Sequence, residues 1–519
     1  MDIMRSWTFD PGTMRLEAEG VCVNLTPKAS AMLACLLRHE GQTVSRETLL
    51  SEIWPGLNVT EGLVREYIFD LRSALGDNAR DPTYIETIRG KGFRLIGPVQ
   101  LKASGAGRAQ TSGPGGDVRV TVAVMRPTRS ESDWDCQQFA DCVVRDITTD
   151  LSQHHDIAVI SQQAAFAMDR SGDPRETAAE LGADYLLDSA FVIHEGTVRV
   201  SFHLVDGKTA RHIWTERIDH SFQDLLTLSD KIVDAVVGAL VGWHGELHRA
   251  EFKSVSARDS NELNSFENFI RACDIDMRLN EPEIRRSLVH LDRSLELDPS
   301  FARCWVIKSV MSQWAIDIIP EPEEALLIAS ADAIERAYSL DPYDPTTLGY
   351  YAMKRARDGD LNGAADLTNR AAQAAGPDPD AAITISTSLA LICADFDGAV
   401  TFLNRAFELN PTPPGWYKFI EARVAYFARH YDRSIAASYA GTEHVSGLAF
   451  RCLSHTGSGD RDAALNAYSE LIERYPRFDF DRYAKRMPVA HPEALARFRA
   501  GTDQLRKLLS WDAMPGLAS

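Results

Sequence analysis

The sequence has no apolar run approaching the roughly 20 residues that cross a bilayer, and its first residues show no signal-peptide pattern. Both absences argue against a membrane or secreted class, and the expected location is the cytoplasm. The eight cysteines (Cys22, Cys35, Cys136, Cys142, Cys273, Cys304, Cys393 and Cys452) include no CxxC pair. They read as reduced, mostly buried thiols rather than a zinc or disulfide framework. No P-loop, GxGxxG or Ser-His-Asp signature accompanies a strand–helix junction. His154, His155, Asp150 and Asp156 can be drawn as a metal cluster, but adjacent histidines at a helix end point in different directions, which favours a solvated terminus. Asp184, Asp188 and Glu216 read as surface or capping carboxylates. No catalytic residue, metal or cofactor is therefore assigned, and the chain is expected not to be an enzyme. Positive charge is also short: 55 Lys and Arg face 74 Asp and Glu, a net charge of −19. A surface that binds a polyanion must then be a confined patch.

What is present is 519 residues of ordinary globular composition, 45% hydrophobic and 25% charged, enough for two to four domains. Residues 1–98 form the first. Residues 99–117 include a run of Gly, Ser and Ala from Ala103 to Gly116 that cannot bury a core, and they are expected to be a flexible linker. Residues 118–245 predict the order β-α-β-α-β-β-β-α, with helices over 136–153 and 222–241 and a short helix from Asp173-Pro174 to Gly182. Residues 260–510 predict paired helices. Pro342, Pro377 and Pro411 lie 35 and 34 residues apart, and Gly363, Gly398 and Arg433 recur at steps of 35. A period near 34 is the tetratricopeptide signature, so five to six repeats in a right-handed solenoid are expected. Gly363 and Gly398 would let paired helices approach closely. Trp305, Trp314, Tyr350, Tyr351, Trp416, Tyr417 and Tyr426 are expected mostly to pack between helices. Arg355, Arg357, Arg370 and Arg405 are candidates to line a concave groove for a peptide or a second protein.

The first domain carries the most specific pattern. Thr26-Pro27 starts a helix whose core face is Met32, Leu33, Leu36 and Leu37. Ser45 caps a second helix that buries Leu49, Leu50, Ile53 and Trp54. Thr60 caps a third, in which Val64, Ile68, Leu71 and Leu75 recur at helical spacing. Its opposite face carries Arg65, Glu66, Phe69, Arg72 and Ser73. The segment Thr87-Ile-Arg-Gly-Lys-Gly-Phe-Arg94 then makes a glycine-tipped hairpin with Arg89, Lys91 and Arg94 around the tip. Three amphipathic helices and a basic hairpin make a winged helix-turn-helix. The third helix of such a module enters the major groove, and the cations of its wing reach the minor groove or its phosphates. Arg65 and Phe69 are read as base probes and Arg72 as a grip on phosphate or guanine. With 11 Lys and Arg against 13 Asp and Glu in residues 1–98, weak non-specific binding is expected.

The Leu-Thr-Pro helix start, Leu-Leu-Ser-Glu-Ile-Trp, the Ile-x-x-Leu-Arg core of the third helix and the Arg-Gly-x-Gly-Phe-Arg wing resemble the OmpR-type transcriptional regulators over residues 5–97. The resemblance implies contact between RNA polymerase and the loop before the third helix, here Pro55, Gly56, Leu57 and Asn58. Residues 118–241, with Val120-Thr-Val-Ala-Val, Glu180-Leu-Gly-Ala-Asp-Tyr-Leu-Leu and Ile213-Trp-Thr-Glu-Arg, resemble the TolB-like N-terminal domain, which implies an association role without a known reaction. The union of a winged helix with tetratricopeptide repeats is similar to the HilA-like regulators. The expected fold class is a multidomain α/β plus all-α chain: winged helix-turn-helix, TolB-like α/β domain and tetratricopeptide α-solenoid. The expected function is sequence-specific promoter binding by a one-component regulator, an activator with RNA polymerase as partner. It would self-associate on DNA and be nucleoid-associated when bound. No phospho-acceptor receiver precedes the winged helix, so input is expected from the C-terminal sensing or protein-interaction domains, or from abundance. The rival reading, motivated by Glu66 and Asp70, is a tetratricopeptide adaptor with weak or vestigial DNA binding. A third is a small-molecule sensor with its pocket in the middle domain.

Overall fold

The computed structural model describes residues 7–101 and 120–512, except 11–14, 19–20, 26, 40, 47, 50–60, 79–81, 89–90, 130–133, 155, 169–171, 195–196, 222–224, 257, 259–261, 275–279, 317, 320–321 and 442–443. The chain opens with β1 (Trp7–Asp10), β2 (Arg15–Ala18), β3 (Val21–Asn24), α1 (Pro27–Arg38), α2 (Glu61–Leu75), β4 (Ile85–Ile88), β5 (Gly92–Leu95) and β6 (Val99–Leu101). Between α1 and α2, Ser45 caps a helical turn as expected: its Oγ accepts the Thr48 N–H at 3.0 Å. The rest of the second helix, with Ile53 and Trp54, and the caps at Thr26 and Thr60 lie outside the described residues. Trp7, Phe9, Leu16, Met32, Leu33, Leu36, Val64, Ile68 and Leu71 close one core.

One boundary moves. Val99–Leu101 was assigned to the linker, yet it forms β6, which pairs in parallel with β1 in the order β3-β2-β1-β6. Val99 is buried under the sheet. Three residues are too few to show a periodicity, so composition alone ends the domain too early.

The middle segment holds β7 (Val120–Val124), β8 (Thr128–Arg129), α3 (Trp134–Leu151), β9 (Ile157–Val159), α4 (Gln162–Ala167), α5 (Pro174–Leu181), β10 (Tyr185–His194), β11 (Thr197–Asp206) and β12 (His212–Ser221). The sheet order is β12-β11-β10-β7-β9, with β8 beside β10. The expected order is present, with α4 and β8 added. Asp173 caps α5 by accepting the Arg175 N–H, and Gly182 ends it at φ +65°, a left-handed position that suits glycine.

The second compact unit begins at Lys231, inside α6 (Leu225–Leu240). The sequence reading gave this whole helix to the middle domain. Its Ile232, Val233, Val236, Val237 and Leu240 are all buried, and a helix this apolar must be covered broadly. Downstream come α7 (Glu246–Val255), α8 (Ser265–Cys273), α9 (Glu281–Leu297), α10 (Ala302–Ala315), α11 (Glu323–Leu340), α12 (Pro345–Arg357), α13 (Leu361–Ala374), α14 (Pro379–Ser388), α15 (Phe396–Leu409), α16 (Trp416–Phe427), α17 (Tyr431–Ala440), α18 (Val445–Ser458), α19 (Arg461–Arg474), α20 (Phe480–Arg486) and α21 (Pro492–Asp512). From α8 to α19 they pack as six successive pairs, a tetratricopeptide-like solenoid. Asp298 and Asp341 organise the first two proline turns by accepting backbone N–H groups at Ser300 and at Tyr343 and Asp344.

The repeated glycines stand in the first turns of side-chain-capped helices. Asp360 and Asp395 are N-caps that accept the N–H of Gly363 at 3.0 Å and of Gly398 at 2.9 Å. A Cβ at either glycine would collide with the capping carboxylate. After α14 the chain makes one π-helical turn, Leu389–Cys393, and the Leu391 carbonyl accepts from the N–H groups of Ala490 and His491. The wider turn leaves that carbonyl available to the later segment.

Candidate nucleic-acid interface

The spacing 64, 68, 71, 75 puts four apolar side chains on one stripe of α2, and all four are buried. On the other side Phe69 is 71% exposed, the largest exposure of a big apolar side chain among the described residues. Arg65, Glu66 and Ser73 stand on the same helix, with side chains outside the described set. The helix ends at Gly76, whose φ of +68° turns the chain so that the Asp77 N–H returns to the Arg72 carbonyl at 2.8 Å.

Asp77 then ties the helix to the wing. One carboxylate oxygen accepts the Thr83 N–H at 2.6 Å, and the other accepts the Ile85 N–H at 2.8 Å. The sequence reading missed this residue. Its signal is Leu75-Gly76-Asp77: a glycine closing a helix, followed by a side chain that organises turns by accepting backbone N–H groups.

Arg72, expected to grip DNA, is directed at the hairpin. Its Nη2 donates to the Ile85 carbonyl at 2.7 Å and to Thr87 Oγ1 at 2.8 Å. Burial pulls its pKa below the ordinary value, against the opposing pull of Asp77. Arg72 therefore braces β4 against α2, and Thr87 is its acceptor. Arg94, another wing cation, donates through Nε to Glu86 at 3.1 Å, so its charge is largely matched. Lys91 is exposed and has no ion pair among the described residues. Arg89 lies outside them, as do Pro55, Gly56, Leu57 and Asn58.

The wing is also pinned from the far side. Val44 and Phe93 exchange backbone hydrogen bonds of 2.8 and 3.0 Å. Gly92 sits at φ +146°, where a Cβ would strike the Val44 carbonyl. Close backbone approach, rather than the tightness of the tip, is what requires glycine there. The result is a helix–hairpin frame that exposes the Phe69 ring and, among the described residues, the Lys91 ammonium.

Other candidates are structurally committed. Asp184 accepts the Thr121 N–H at 3.0 Å. Asp219 is held at about 2 by its hydrogen bonds from Arg199. Among the described residues no group of three or more His, Cys, Asp and Glu is placed to hold a metal ion, and no helix is long and apolar enough to cross a membrane. Of the four solenoid arginines, Arg355 pairs with Asp360, Arg370 donates to the Pro342 carbonyl at 3.3 Å, and Arg405 donates twice to Asp234 at 2.8 and 2.9 Å. Arg357 alone lines a cleft.

Residues 20–95 match the family described as transcriptional regulatory protein, C terminal. The chain is 26% identical over 195 residues to putative adenylate cyclase 3 of Rhizobium meliloti, 37% of this chain and 33% of that protein. It is 32% identical over 94 residues to the transcriptional activator CadC of Escherichia coli, 18% of each. It is 24% identical over 344 residues to the transcriptional regulator HilA of Salmonella typhimurium, 64% of this chain and 57% of that one. The chain thus spans between about a fifth and about three fifths of these relatives' lengths. The solved DNA-binding domain of E. coli CadC is 31% identical at a TM-score of 0.16, covering 17% of this chain and 83% of that one. Residues 20–95 are therefore an OmpR-type DNA-binding domain of the transcriptional regulatory protein family, carried here with an α/β domain and a tetratricopeptide-like helical unit.

Proposed function

We propose that the chain is a sequence-specific, promoter-binding transcriptional activator without enzymatic activity. In this reading α2 enters the major groove, where Arg65 and Phe69 probe base edges beside Glu66 and Ser73. Lys91 and Arg89 at the wing tip hold phosphates or the adjoining minor groove. Arg72, Thr87 and Arg94 act indirectly, by fixing the wing. The observation that carries the reading is the frame itself: a helix buried on one side and exposing Phe69 on the other, locked to a hairpin through Arg72 and Asp77. The chain's net charge of −19 suits a protein whose affinity comes from base contacts and from self-association on DNA. The loop of Pro55, Gly56, Leu57 and Asn58 is the proposed RNA polymerase contact, and the α/β domain and solenoid supply sensing or protein interaction.

Chromatin immunoprecipitation of the full chain beside an Arg65→Ala/Lys91→Ala variant tests this. Discrete promoter peaks that the variant loses are expected. Wild-type protein with no peaks would favour the adaptor reading, in which the solenoid's partners carry the function.

A further inference from the structure

Helices of the solenoid line a cleft of about 100 Å³ that opens to solvent, smaller than the sites that take drug-sized ligands and suited to a small group. Its walls come from α10, α12, α14, α16 and the start of α18, with α20 across one side. Three arginines converge there: Arg357, Arg423 and Arg486. Arg486 is matched by Glu323 at 3.6 Å. Arg357 has the neighbouring Asp358 carboxylate, whose charge opposes the effect of burial, whereas Arg423 has no carboxylate partner among the described residues. Arg423 reaches only neutral oxygens, Thr387 Oγ1 at 3.4 Å and the Tyr483 hydroxyl, and its Nε is buried without an acceptor. Tyr350 cannot serve as a counter-charge, because burial pushes its hydroxyl up to about 12. Burial also pulls Arg357 down to about 10, which leaves it charged at neutral pH.

His444 lines the same cleft. It accepts the Ser446 N–H at Nδ1, 3.2 Å away. The neutral ring therefore carries its proton on Nε2, which is buried with no acceptor. Beside it lies an apolar wall: Phe419 stacks on the His444 ring at 4.4 Å, and Trp314 meets Phe419 edge-on at 5.5 Å. Unmatched charge and unmet donors out of water are costly unless something supplies the acceptors. A planar guanidinium fork suits a carboxylate or a phosphoryl group.

We propose that this cleft binds a small organic anion, its carboxylate or phosphoryl head held by Arg357 and Arg423 and its apolar body against Trp314 and Phe419. The proposal deepens the proposed function by giving the helical unit an effector class, and it rests on that reading only for the word effector.

The test is thermal unfolding of the full chain, followed by circular dichroism, with inorganic phosphate or benzoate added at fixed ionic strength. At least one probe should raise the unfolding temperature of the wild type saturably, by about 2–4 °C at occupancy well above half. Phosphate alone would assign a phosphoryl head, and benzoate alone a carboxylate with an apolar body. Arg357→Met/Arg423→Met should abolish the response and unfold, without probe, no lower than wild type, because it removes the buried Arg423 charge, which only neutral oxygens face. Three results would overturn the proposal: no response to either probe, an equal response in the double variant, or a double variant that folds but melts lower without probe. If the double variant does not fold, Arg357→Met alone decides, since an undiminished response there contradicts the site. No DNA is present, so an anion response without promoter binding would sink the proposed function alone, and promoter binding without an anion response would sink this inference alone.

Discussion

The arginines of the winged helix and those of the solenoid cleft invert what their neighbourhoods in the sequence suggest. Arg72 and Arg94 sit in a basic, DNA-like motif, yet each is engaged by the protein: Arg72 by the Ile85 carbonyl and Thr87, Arg94 by Glu86. Arg423 sits in an acidic helical unit, yet it has no carboxylate partner among the described residues, and Arg357 beside it in the cleft has only its neighbour Asp358. Charge in a motif therefore does not identify the groups available to a ligand. What matters is which acceptors the fold has already placed around each guanidinium.

The comparison can be broken most severely at Gly92. Gly92→Ala drives a Cβ onto the Val44 backbone at a φ that alanine avoids, and is expected to cost about 3 kcal/mol. Faster amide exchange at Val44 and Phe93 would show it. In the cleft, burial and the charges of Arg423 and Arg486 hold His444 at about 3. Its neutral native form contributes stability that is complete above about pH 6.5 and lost as the pH falls towards 3, because the unfolded chain takes up the proton first. His444→Asn, which keeps an acceptor for the Ser446 N–H, should remove up to about 1.4 kcal/mol of that loss per pH unit. Urea unfolding at pH 7 and pH 5 measures the difference. Asp380, pushed up to about 7 by burial and Asp378, acts in the opposite sense, gaining stability as pH falls from 7 to 4, so only the difference between variant and wild type is diagnostic.

Smaller effects separate bracing from contact. Arg72→Ala leaves the Ile85 carbonyl and Thr87 without their donor, at about 1–2 kcal/mol. It should weaken all DNA sequences alike, with lower domain stability in the same preparation. Lys91→Ala should leave stability within about 0.5 kcal/mol and reduce the salt slope of DNA binding by about one unit. A stable Arg72→Ala domain with altered base preference would reverse the roles assigned here.

How far the sequence could be read depended on the range of each interaction. The stripe of Val64, Ile68, Leu71 and Leu75 is local and periodic, and so are the proline turns of the solenoid; both were legible. The fate of Arg72 was not, because its partner is a backbone carbonyl 13 residues away, which no side-chain pattern marks. Gly363 and Gly398 recur legibly, but the capping carboxylates of Asp360 and Asp395 beside them are visible only once the helix starts are placed. The cleft was out of reach for the same reason: Arg357, Arg423 and His444 belong to different repeats, and only the solenoid's curvature brings them together.

The most direct test of the central claim is selection of binding sites from a random duplex library by the full chain, run beside Arg65→Ala. The account predicts that the wild type enriches one motif, and that Arg65→Ala relaxes it at a single base position at a cost of about 1–3 kcal/mol. Failure of the wild type to enrich any motif, or an identical motif from Arg65→Ala, would contradict it.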